Sequence, residues 1–304
     1  MEGGQHLKNP LRAYIFAGLA VLFWSTAASA FKLTLGHIDF IQITFTATLT
    51  SCLALFLVIV FQRNLYLLRL TTRDQLLRSA VLGLLNPFLY YIVLLKAYSL
   101  LPAQVAQPLN FTWPLMLVIL SIPLLNQKIP LSSIGAMVIS FFGVYLISSQ
   151  GSPFEPGLSD PFGVILALGS SVLWALFWIY NVRDIRNEVV KLFLCFVFAS
   201  FYITIAMIII PGAWTFNLPG IAGGVYIGLF EMGFTFVFWL KALQYAVSSD
   251  KVSNLIYFTP FFSLLFISLV VGEEIYFTTF GGLLLIVAGI VLQKYITAAQ
   301  GQKG

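Results

Sequence analysis

The sequence predicts an all-α integral membrane protein with ten transmembrane helices in two inverted five-helix repeats. Three observations support this fold class: the composition, the distribution of basic residues, and a similarity between the two halves of the chain. Of the 304 residues, 60% are hydrophobic and 9% are charged, and the mean hydropathy is +0.95. Soluble domains are about 45–50% apolar and about 25% charged. A lipid bilayer is therefore the expected surrounding of this chain.

The apolar segments have the length of membrane-spanning helices, which need about 20 residues. Windows of that length predict spans at 12–32, 39–61, 76–97, 103–125, 131–149, 160–181, 190–211, 220–242, 251–271 and 277–296. Short connections that contain Gly and Pro, such as 151–160 and 211–220, separate them. The first span holds Trp24 and continues beyond the small residues 27–30. We therefore expect it to be retained rather than cleaved as a signal peptide.

The basic residues lie almost entirely on one predicted side of the membrane. With the N-terminus inside, 14 of the 16 Lys and Arg residues fall in inner segments, and only Lys32 and Lys96 fall in outer ones. Cytoplasmic loops of membrane proteins collect Lys and Arg. The sequence therefore predicts a multi-pass protein of the cell's inner (plasma) membrane with both termini in the cytoplasm.

The second half of the sequence repeats the first. Four positions recur 146 residues later, which pairs Pro114, Gln127, Gly135 and Gly143 with Pro260, Glu273, Gly281 and Gly289. Just upstream, with an offset one residue shorter, Gly83 and Asn86 pair with Gly228 and Glu231. Five helices per copy place the second copy upside down, so 1–150 and 151–304 are predicted to be inverted repeats. Inverted repeats with interrupted helices are typical of secondary transporters.

The repeated pattern also resembles a family. A proline, an acid or amide 13 residues on and two glycines at eight-residue steps resemble the EamA-type members of the drug/metabolite transporter superfamily. The resemblance covers nearly the whole chain and includes the Gly-Glu-Glu sequence at 272–274. The segments LFWST (22–26), LNFTWP (109–114), LNQK (125–128) and FTP (258–260) are similar to the aromatic amino-acid exporters. Gln127 stands where a glutamate is common in the family, and segment 40–49 lacks an arginine often seen there. The resemblance implies the drug/metabolite transporter fold and export of an amino acid or related metabolite.

Prolines inside apolar spans indicate the substrate site. A proline in a helix interior costs about 3 kcal/mol and frees the carbonyl four residues earlier, which would be that of Asn110 or Ile256. In lipid such a carbonyl must face protein, water or ligand. We interpret Pro87, Pro114 and Pro260 as hinges and expect a central substrate site bounded by spans 3, 4, 8 and 9, with spans 1 and 6 lining it. The predicted substrate-binding residues are polar or aromatic and lie near these breaks: Trp24, Asn86, Tyr90, Asn110, Thr112, Trp113, Trp178, Glu231, Asn254, Tyr257 and Thr259. Alternatively, the prolines only kink the helices and the amides bond between them.

Glu231 is the most informative single residue, because it lies near the middle of its span. A carboxyl group at that depth is costly and usually functional. Two interpretations stay open: Glu231 couples export to proton entry, or it forms a bond that fixes helix packing. Glu273 and Glu274 precede the last span, and we expect them to cap the N-terminus of that helix.

The sequence predicts a transporter rather than an enzyme. His6 and His37 lie outside the spans, so no metal site is predicted within them, and we find no catalytic motif and predict no cofactor. No basic surface with interleaved aromatics indicates nucleic-acid binding. The predicted partners are a small-molecule substrate, carried by alternating access, and the lipid bilayer; family analogy adds a homodimer through the fifth and tenth helices. The alternatives are a facilitative channel or uniporter, or a carrier of another metabolite or a cationic drug.

Overall fold

The structure, a computed structural model, describes residues 8–125, 131–154, 159–210, 212–247, 252 and 254–301. Within these ranges every regular element is a helix. We number the long helices in chain order: α1 (Pro10–Leu35), α2 (Phe40–Phe61), α3 (Arg73–Leu100), α4 (Ala103–Leu125), α5 (Leu131–Ser148), α6 (Pro161–Val182), α7 (Glu188–Ile209), α8 (Leu218–Tyr245), α9 (Asn254–Val271) and α10 (Phe277–Gly301). A short helix, Leu65–Arg69, lies between α2 and α3.

The helices have the length and composition of membrane spans. In the part of the chain that the structure describes, nine of them are long and apolar enough to cross a bilayer, and the apolar part of α5, Ile134–Ser148, is shorter. The chain is therefore a multi-pass membrane protein, as predicted. The count of ten spans, the choice of membrane and the cytoplasmic termini stay predictions.

Polar caps set where many of the helices begin. Side-chain oxygens that accept a backbone N–H from the first turn are found at Asn9, Asp39, Asp160, Asn187 and Asn217. Before α3, Thr72 and Gln75 form a reciprocal capping box. A cap satisfies one of the backbone donors that has no partner within the helix. The helices consequently start within a few residues of the predicted span limits.

Two helices are interrupted midway, at positions that the sequence repeat pairs. Between Arg73–Gly83 and Tyr90–Leu100, α3 departs from α-helical geometry, and Asn86 has extended backbone angles of φ −147° and ψ 124°. The corresponding interruption in α8 is Gly228–Gly233. The predicted hinge at Pro87 lies within the interruption of α3, whereas no break was predicted at Glu231 in α8.

The breaks associated with Pro114 and Pro260 lie slightly before the prolines. In α4, one helical segment ends at Asn110 and the next begins at Trp113. In α9, a 3₁₀ segment, Asn254–Phe258, precedes an α-helical segment that begins at Thr259. We had expected each proline to lie in a helix interior. Each is instead the second residue of a new helical segment. The missing N–H costs little in a first turn, so the penalty of an interior proline does not apply.

The chain forms two compact units. The first unit comprises Met1–Phe88 and Ile185–Phe266, and the second comprises Leu89–Asp184 and Ile267–Gly304. Each unit therefore takes helices from both halves of the sequence. The division into repeats at residue 150 concerns similarity between segments rather than packing, and it stays a prediction.

In each unit one long helix, α1 or α6, contacts the interrupted helices, and we call it the central helix of that unit. In the first unit, α1 packs along α8 and along the Thr259–Phe266 segment of α9, while α2 packs on α7 and α8. In the second unit, α6 packs along the Tyr90–Leu100 segment of α3 and the Trp113–Leu125 segment of α4. Also in the second unit, α5 and α10 pack closely against each other.

Glycines set the distance between α5 and α10. A Cβ atom added to Gly143 would lie 2.5 Å from the carbonyl oxygen of Gly282, and one added to Gly282 would lie 2.5 Å from that of Gly143. At Gly289 an added Cβ would lie 2.6 Å from the carbonyl oxygen of Ala136. Gly135 and Gly281, in contrast, have no atom within 4 Å of an added Cβ. Of the four recurring glycines on α5 and α10, only Gly143 and Gly289 are therefore required by packing between these helices.

Candidate functional site

Polar and aromatic residues cluster at the interrupted helices of each unit. We call the set in the first unit the α1 cluster: Trp24, Ser25, Glu231 and Thr259. The Trp24 indole Nε1 donates a hydrogen bond of 3.3 Å to the carbonyl oxygen of Glu231. The Trp24 ring also packs against Phe236 and Trp239, at centroid distances of 5.8 Å and 5.6 Å. The indole of α1 thereby contacts the interruption in α8 and the helical segment that follows it.

Ser25 links α1 to the start of the α-helical segment of α9. Its hydroxyl lies 2.6 Å from the carbonyl oxygen of Val21, in its own helix, and 3.2 Å from that of Thr259. A carbonyl at this break was expected to seek a partner, and the one that Ser25 reaches belongs to Thr259 rather than to Ile256. One residue along, the Thr26 hydroxyl lies 2.8 Å from the Tyr226 hydroxyl of α8. Hydroxyls of α1 therefore bond to both neighbouring helices.

Side chains replace the backbone bonds that the α8 interruption disturbs. The Ser51 hydroxyl of α2 donates to the carbonyl oxygen of Gly228 at 2.6 Å, Trp24 donates to that of Glu231, and Thr235 donates to that of Phe230. A carbonyl without a partner costs several kcal/mol in lipid, so these donors stabilise the interrupted segment. The same segment carries the buried side chain of Glu231, which is 8% exposed.

In the second unit, a hydrogen-bonded chain joins α3, α4 and α6. We call this set the α6 cluster: Tyr90, Asn110, Thr112, Ser170, Ser171, Trp174 and Trp178. The Tyr90 hydroxyl donates to Asn110 Oδ1 at 3.3 Å, and Asn110 Nδ2 donates to Ser170 Oγ at 2.8 Å. Thr112 Oγ1 lies 3.1 Å from Ser171 Oγ. The break between the two segments of α4 is thus bonded to the hydroxyls of α6.

Aromatic rings form one side of the α6 cluster. The Tyr90 ring lies 4.7 Å from that of Trp174, and the Trp174 ring lies 6.0 Å from that of Trp178. Phe177 packs against both tryptophans, at 6.3 Å and 5.8 Å. Amides, hydroxyls and aromatic faces therefore occur together at this break, a combination that suits a ligand with polar and apolar parts.

The two clusters make the same kinds of contact. A hydroxyl of the central helix, Ser25 or Ser171, bonds at the start of the second segment of α9 or α4. A tryptophan of the central helix, Trp24 or Trp174, packs on the segment after the interruption in α8 or α3. Each unit thus reproduces one arrangement of a central helix and two broken helices.

Of the predicted site residues, seven belong to these clusters, and four take no part in the bonds just described. The Trp113 ring packs against Phe111 at 6.5 Å, Tyr257 is half-buried and Asn254 is exposed. Asn86 is 1% exposed, and its Oδ1 has no hydrogen-bond partner among the described residues. The hydroxyls of Ser51, Ser170 and Ser171 were not predicted as part of the site. Adjacent serines within an apolar span were the available signal for the last two.

Glu273 caps a helix other than the one expected. Its carboxylate accepts the backbone N–H groups of Ala103 at 2.7 Å and Gln104 at 3.0 Å, so it caps the start of α4 rather than α10. The Gln104 side chain in turn bonds to the turn between α9 and α10. It donates to the carbonyl oxygen of Glu274 at 2.7 Å and accepts from the N–H of Tyr276 at 2.9 Å. This reciprocal network joins the α9–α10 turn to α4.

Removing this cap is expected to destabilise the protein. We expect Glu273→Ala to cost about 1 to 2 kcal/mol, because two backbone donors at a helix start lose a charged acceptor. The measurement is thermal unfolding of the purified protein in detergent, where Tm should fall by several degrees. Glu274→Ala is the matched control, since the neighbouring side chain is exposed and only its backbone carbonyl takes part in the network. Equal Tm values for the two variants would contradict the capping role.

Metal-binding chemistry has no candidate centre in the described ranges. No group of three or more His, Cys, Asp or Glu residues there is placed to hold a metal ion. The polar groups at the breaks are instead amides, hydroxyls, backbone carbonyls and one buried carboxyl group. Such groups can bind a ligand, and among the described residues of the two clusters we find no nucleophile paired with a base.

The comparison with known families decides the class of protein. The model of the EamA-like transporter family matches residues 11–149 and again 161–293. The chain belongs to the EamA-like transporter family. Membrane transport is the activity that this membership indicates, and transporters of this kind are usually not enzymes. The family model thus covers each predicted repeat separately.

Relatives in bacteria and archaea carry the same general description. The uncharacterized transporter YvbV of Bacillus subtilis (strain 168) is 25% identical over 296 residues, covering 95% of this chain and 93% of YvbV. An uncharacterized transporter of Archaeoglobus fulgidus is 25% identical over 288 residues, covering 93% of this chain and 98% of its own. A solved crystal structure matches with a TM-score of 0.65 at 19% identity over 96% of this chain and 99% of its own, which shows a shared fold.

Proposed function

We propose that this EamA-family protein is a secondary active transporter that exports a small amphipathic solute, an amino acid or a related metabolite, by alternating access. The observation that carries the proposal is the pair of matched interruptions: α3 and α8 break at Leu84–Leu89 and Gly228–Gly233, and α4 and α9 restart at Trp113 and Thr259. Interrupted helices at corresponding positions of two repeats are the usual location of transporter binding sites. The double match of the family model also supports two repeats.

The chemistry of the clusters supports an amphipathic substrate. Amide and hydroxyl groups of Asn110 and Thr112 bind an ammonium or carboxylate group, while the rings of Tyr90 and Trp178 accommodate an apolar or aromatic side chain or a cation. In the α1 cluster, Trp24, Glu231 and Thr259 offer the same classes of group. The similarity to aromatic amino-acid exporters leads us to propose aromatic amino acids as the first substrates to test.

We propose roles for the remaining predicted residues as further substrate contacts or as hinges. Asn86, Trp113, Asn254 and Tyr257 lie in or next to the interrupted segments and are proposed as further contacts of the substrate. Pro87, Pro114 and Pro260 are proposed hinges because each lies in an interrupted segment or in the first turn after a break. Proton coupling through Glu231 and a homodimer through α5 and α10 remain part of the proposal.

A counterflow experiment tests the proposal. Liposomes that contain the purified protein are loaded with unlabelled phenylalanine, and labelled phenylalanine is added outside. Transient, saturable accumulation of label is the expected result, because a carrier exchanges substrate through one site. Flux that does not saturate would favour a channel, and lack of flux for a panel of amino acids would overturn the proposed substrate class.

Asn110→Ala is expected to raise the KM for the transported amino acid about tenfold, because the amide that it removes would otherwise bond a polar substrate group. Initial rates in the same liposomes provide the measurement. Ser148→Ala is the control, since the Ser148 hydroxyl bonds to the Val144 carbonyl of its own helix at 2.9 Å and lies outside both clusters. An unchanged KM in Asn110→Ala would remove Asn110 from the site.

A further inference from the structure

Several buried hydroxyl groups of the first unit lack a hydrogen-bond partner. In the described part of the chain, the buried hydroxyl oxygens without one belong to Ser29, Thr48, Thr259 and Ser263. Three of these four lie on α1 and α9, which pack against each other. Their side chains are well buried, with 4% of Ser29, 6% of Thr259 and 0% of Ser263 exposed. Unpartnered buried oxygens are costly, so their concentration between two helices calls for a ligand.

Other serine and threonine hydroxyls of α1 do have hydrogen-bond partners, in their own helix. Serine and threonine in helices usually donate to the carbonyl three or four residues earlier. On α1, Ser25 and Thr34 lie 2.6 Å from the carbonyl oxygens of Val21 and Ala30. Ser29, midway between them on the same helix, makes no such bond. Its oxygen, like those of Thr259 and Ser263, is therefore available to a ligand.

The register of α1 and α9 places these oxygens within about one turn of each other along the helices. Val252, just before α9, belongs to a packed apolar cluster with Ala13 and Ala17 near the start of α1. Further along both helices, Ser25 reaches the carbonyl oxygen of Thr259, so the two helices run in parallel. Four residues advance a helix by slightly more than one turn. Ser29 and Ser263 consequently lie at about the same level, roughly one turn beyond Ser25 and Thr259.

We propose that these hydroxyls form a binding site for a small monovalent cation, with Na⁺ as the ion that fits best. The ligands are Ser29 Oγ, Thr259 Oγ1 and Ser263 Oγ. Oxygen atoms are the preferred ligands of hard cations. Secondary transporters coordinate coupling cations with unwound backbone carbonyls and the C-terminal ends of half-helices. In α9 a 3₁₀ segment ends at Phe258, directly before Thr259.

Charge considerations favour a monovalent cation over other ions. Ca²⁺ and Mg²⁺ sites rely on carboxylate ligands, whereas the three unpartnered groups here are neutral. The role of the bound cation in transport rests on the function proposed above, whereas its binding can be measured without any transport.

Thermal unfolding tests the binding directly. The purified full-length protein in detergent is titrated with NaCl at constant ionic strength, with choline chloride as the replacement salt. We expect Tm to rise and saturate with Na⁺ and to stay constant in choline, because a ligand that binds only the folded state stabilises it. Ser263→Ala and Thr259→Val should each weaken the apparent Na⁺ affinity about tenfold, the loss expected for one ligand oxygen.

Thr44→Val is the matched control for these variants. Thr44 is fully buried in the same unit, and its hydroxyl bonds to the Phe40 carbonyl of its own helix at 2.8 Å; its Na⁺ response should equal that of the wild type. Ser263→Ala removes an oxygen with no partner, so the variant should fold normally in choline. A Tm equal in Na⁺ and choline for the wild type, or an unchanged Na⁺ affinity in Ser263→Ala, would overturn the site.

Equilibrium binding of radioactive Na⁺ provides a second measurement that does not depend on stability. Saturable binding that is lost in Ser263→Ala supports the site even if counterflow fails, which would refute only the proposed function. Counterflow with no Na⁺ binding would refute only the site. The two proposals can therefore fail separately.

Discussion

Gly282→Val is expected to prevent accumulation of the folded protein. An added Cβ at Gly282 would lie 2.5 Å from the carbonyl oxygen of Gly143 and 2.7 Å from the Ile147 side chain. Moving a side chain cannot relieve a collision with backbone, so α5 and α10 must separate along the contact. Overpacking a core typically costs about 1 to 3 kcal/mol, and we expect the upper end or more here. Size-exclusion profiles of detergent-solubilised protein and the Tm of any folded fraction provide the measurement.

Gly281→Val is the matched control for this prediction. Gly281 is the adjacent residue of the same helix, and a Cβ there would meet no atom within 4 Å, so the variant should behave like the wild type apart from a small change in helix propensity. Gly143→Val should resemble Gly282→Val, because the two glycines face each other. Normal expression and Tm of Gly282→Val would show that the helices are not in backbone contact.

Glu231→Gln is expected to abolish the response of transport to a pH gradient while transport itself continues. Glutamine keeps the size and hydrogen-bonding reach of glutamate but cannot release a proton. If the buried carboxyl group couples proton entry to export, its loss leaves an exchanger that no longer responds to the gradient. Uptake of labelled amino acid into proteoliposomes, with and without an imposed pH gradient, measures this difference.

The control for Glu231→Gln is Glu274→Gln. Glu274 is an exposed carboxyl group in the α9–α10 turn, and we expect its replacement to leave the gradient response unchanged. An equal gradient response in Glu231→Gln and wild type would assign Glu231 to helix packing, the other interpretation that the sequence allowed. Comparable Tm values for all three proteins would show that the transport effect is not caused by misfolding.

The sequence predicted the helices well because hydropathy and capping are local properties. The start of α1 at Pro10 follows from Asn9, and that of α6 at Pro161 follows from Asp160. The length of each apolar segment then predicts how far the helix extends from its cap. The interruption in α8 was not predicted, since it contains no proline and depends on donors from elsewhere in the chain, such as Ser51 and Trp24.

Tertiary partners explain the other differences between expectation and structure. A carboxylate near a helix start suggests a cap for that helix, yet Glu273 reaches the N-terminus of α4 because the fold brings it within bonding distance. Gly143 and Gly135 carry equal weight in the sequence repeat, but only the first faces another backbone. Periodicity identifies which residues recur, and packing decides which of them are needed.

The backbone contact between α5 and α10 has a practical consequence for spectroscopy. Because Gly143 and Gly282 bring the two backbones into close contact, we expect these two helices to keep one mutual distance throughout a transport cycle. Spin labels at exposed positions such as Val138 on α5 and Leu284 on α10 would form a reference pair whose separation stays constant. Any change measured from a third label to this pair can then be assigned to movement of that label's own helix.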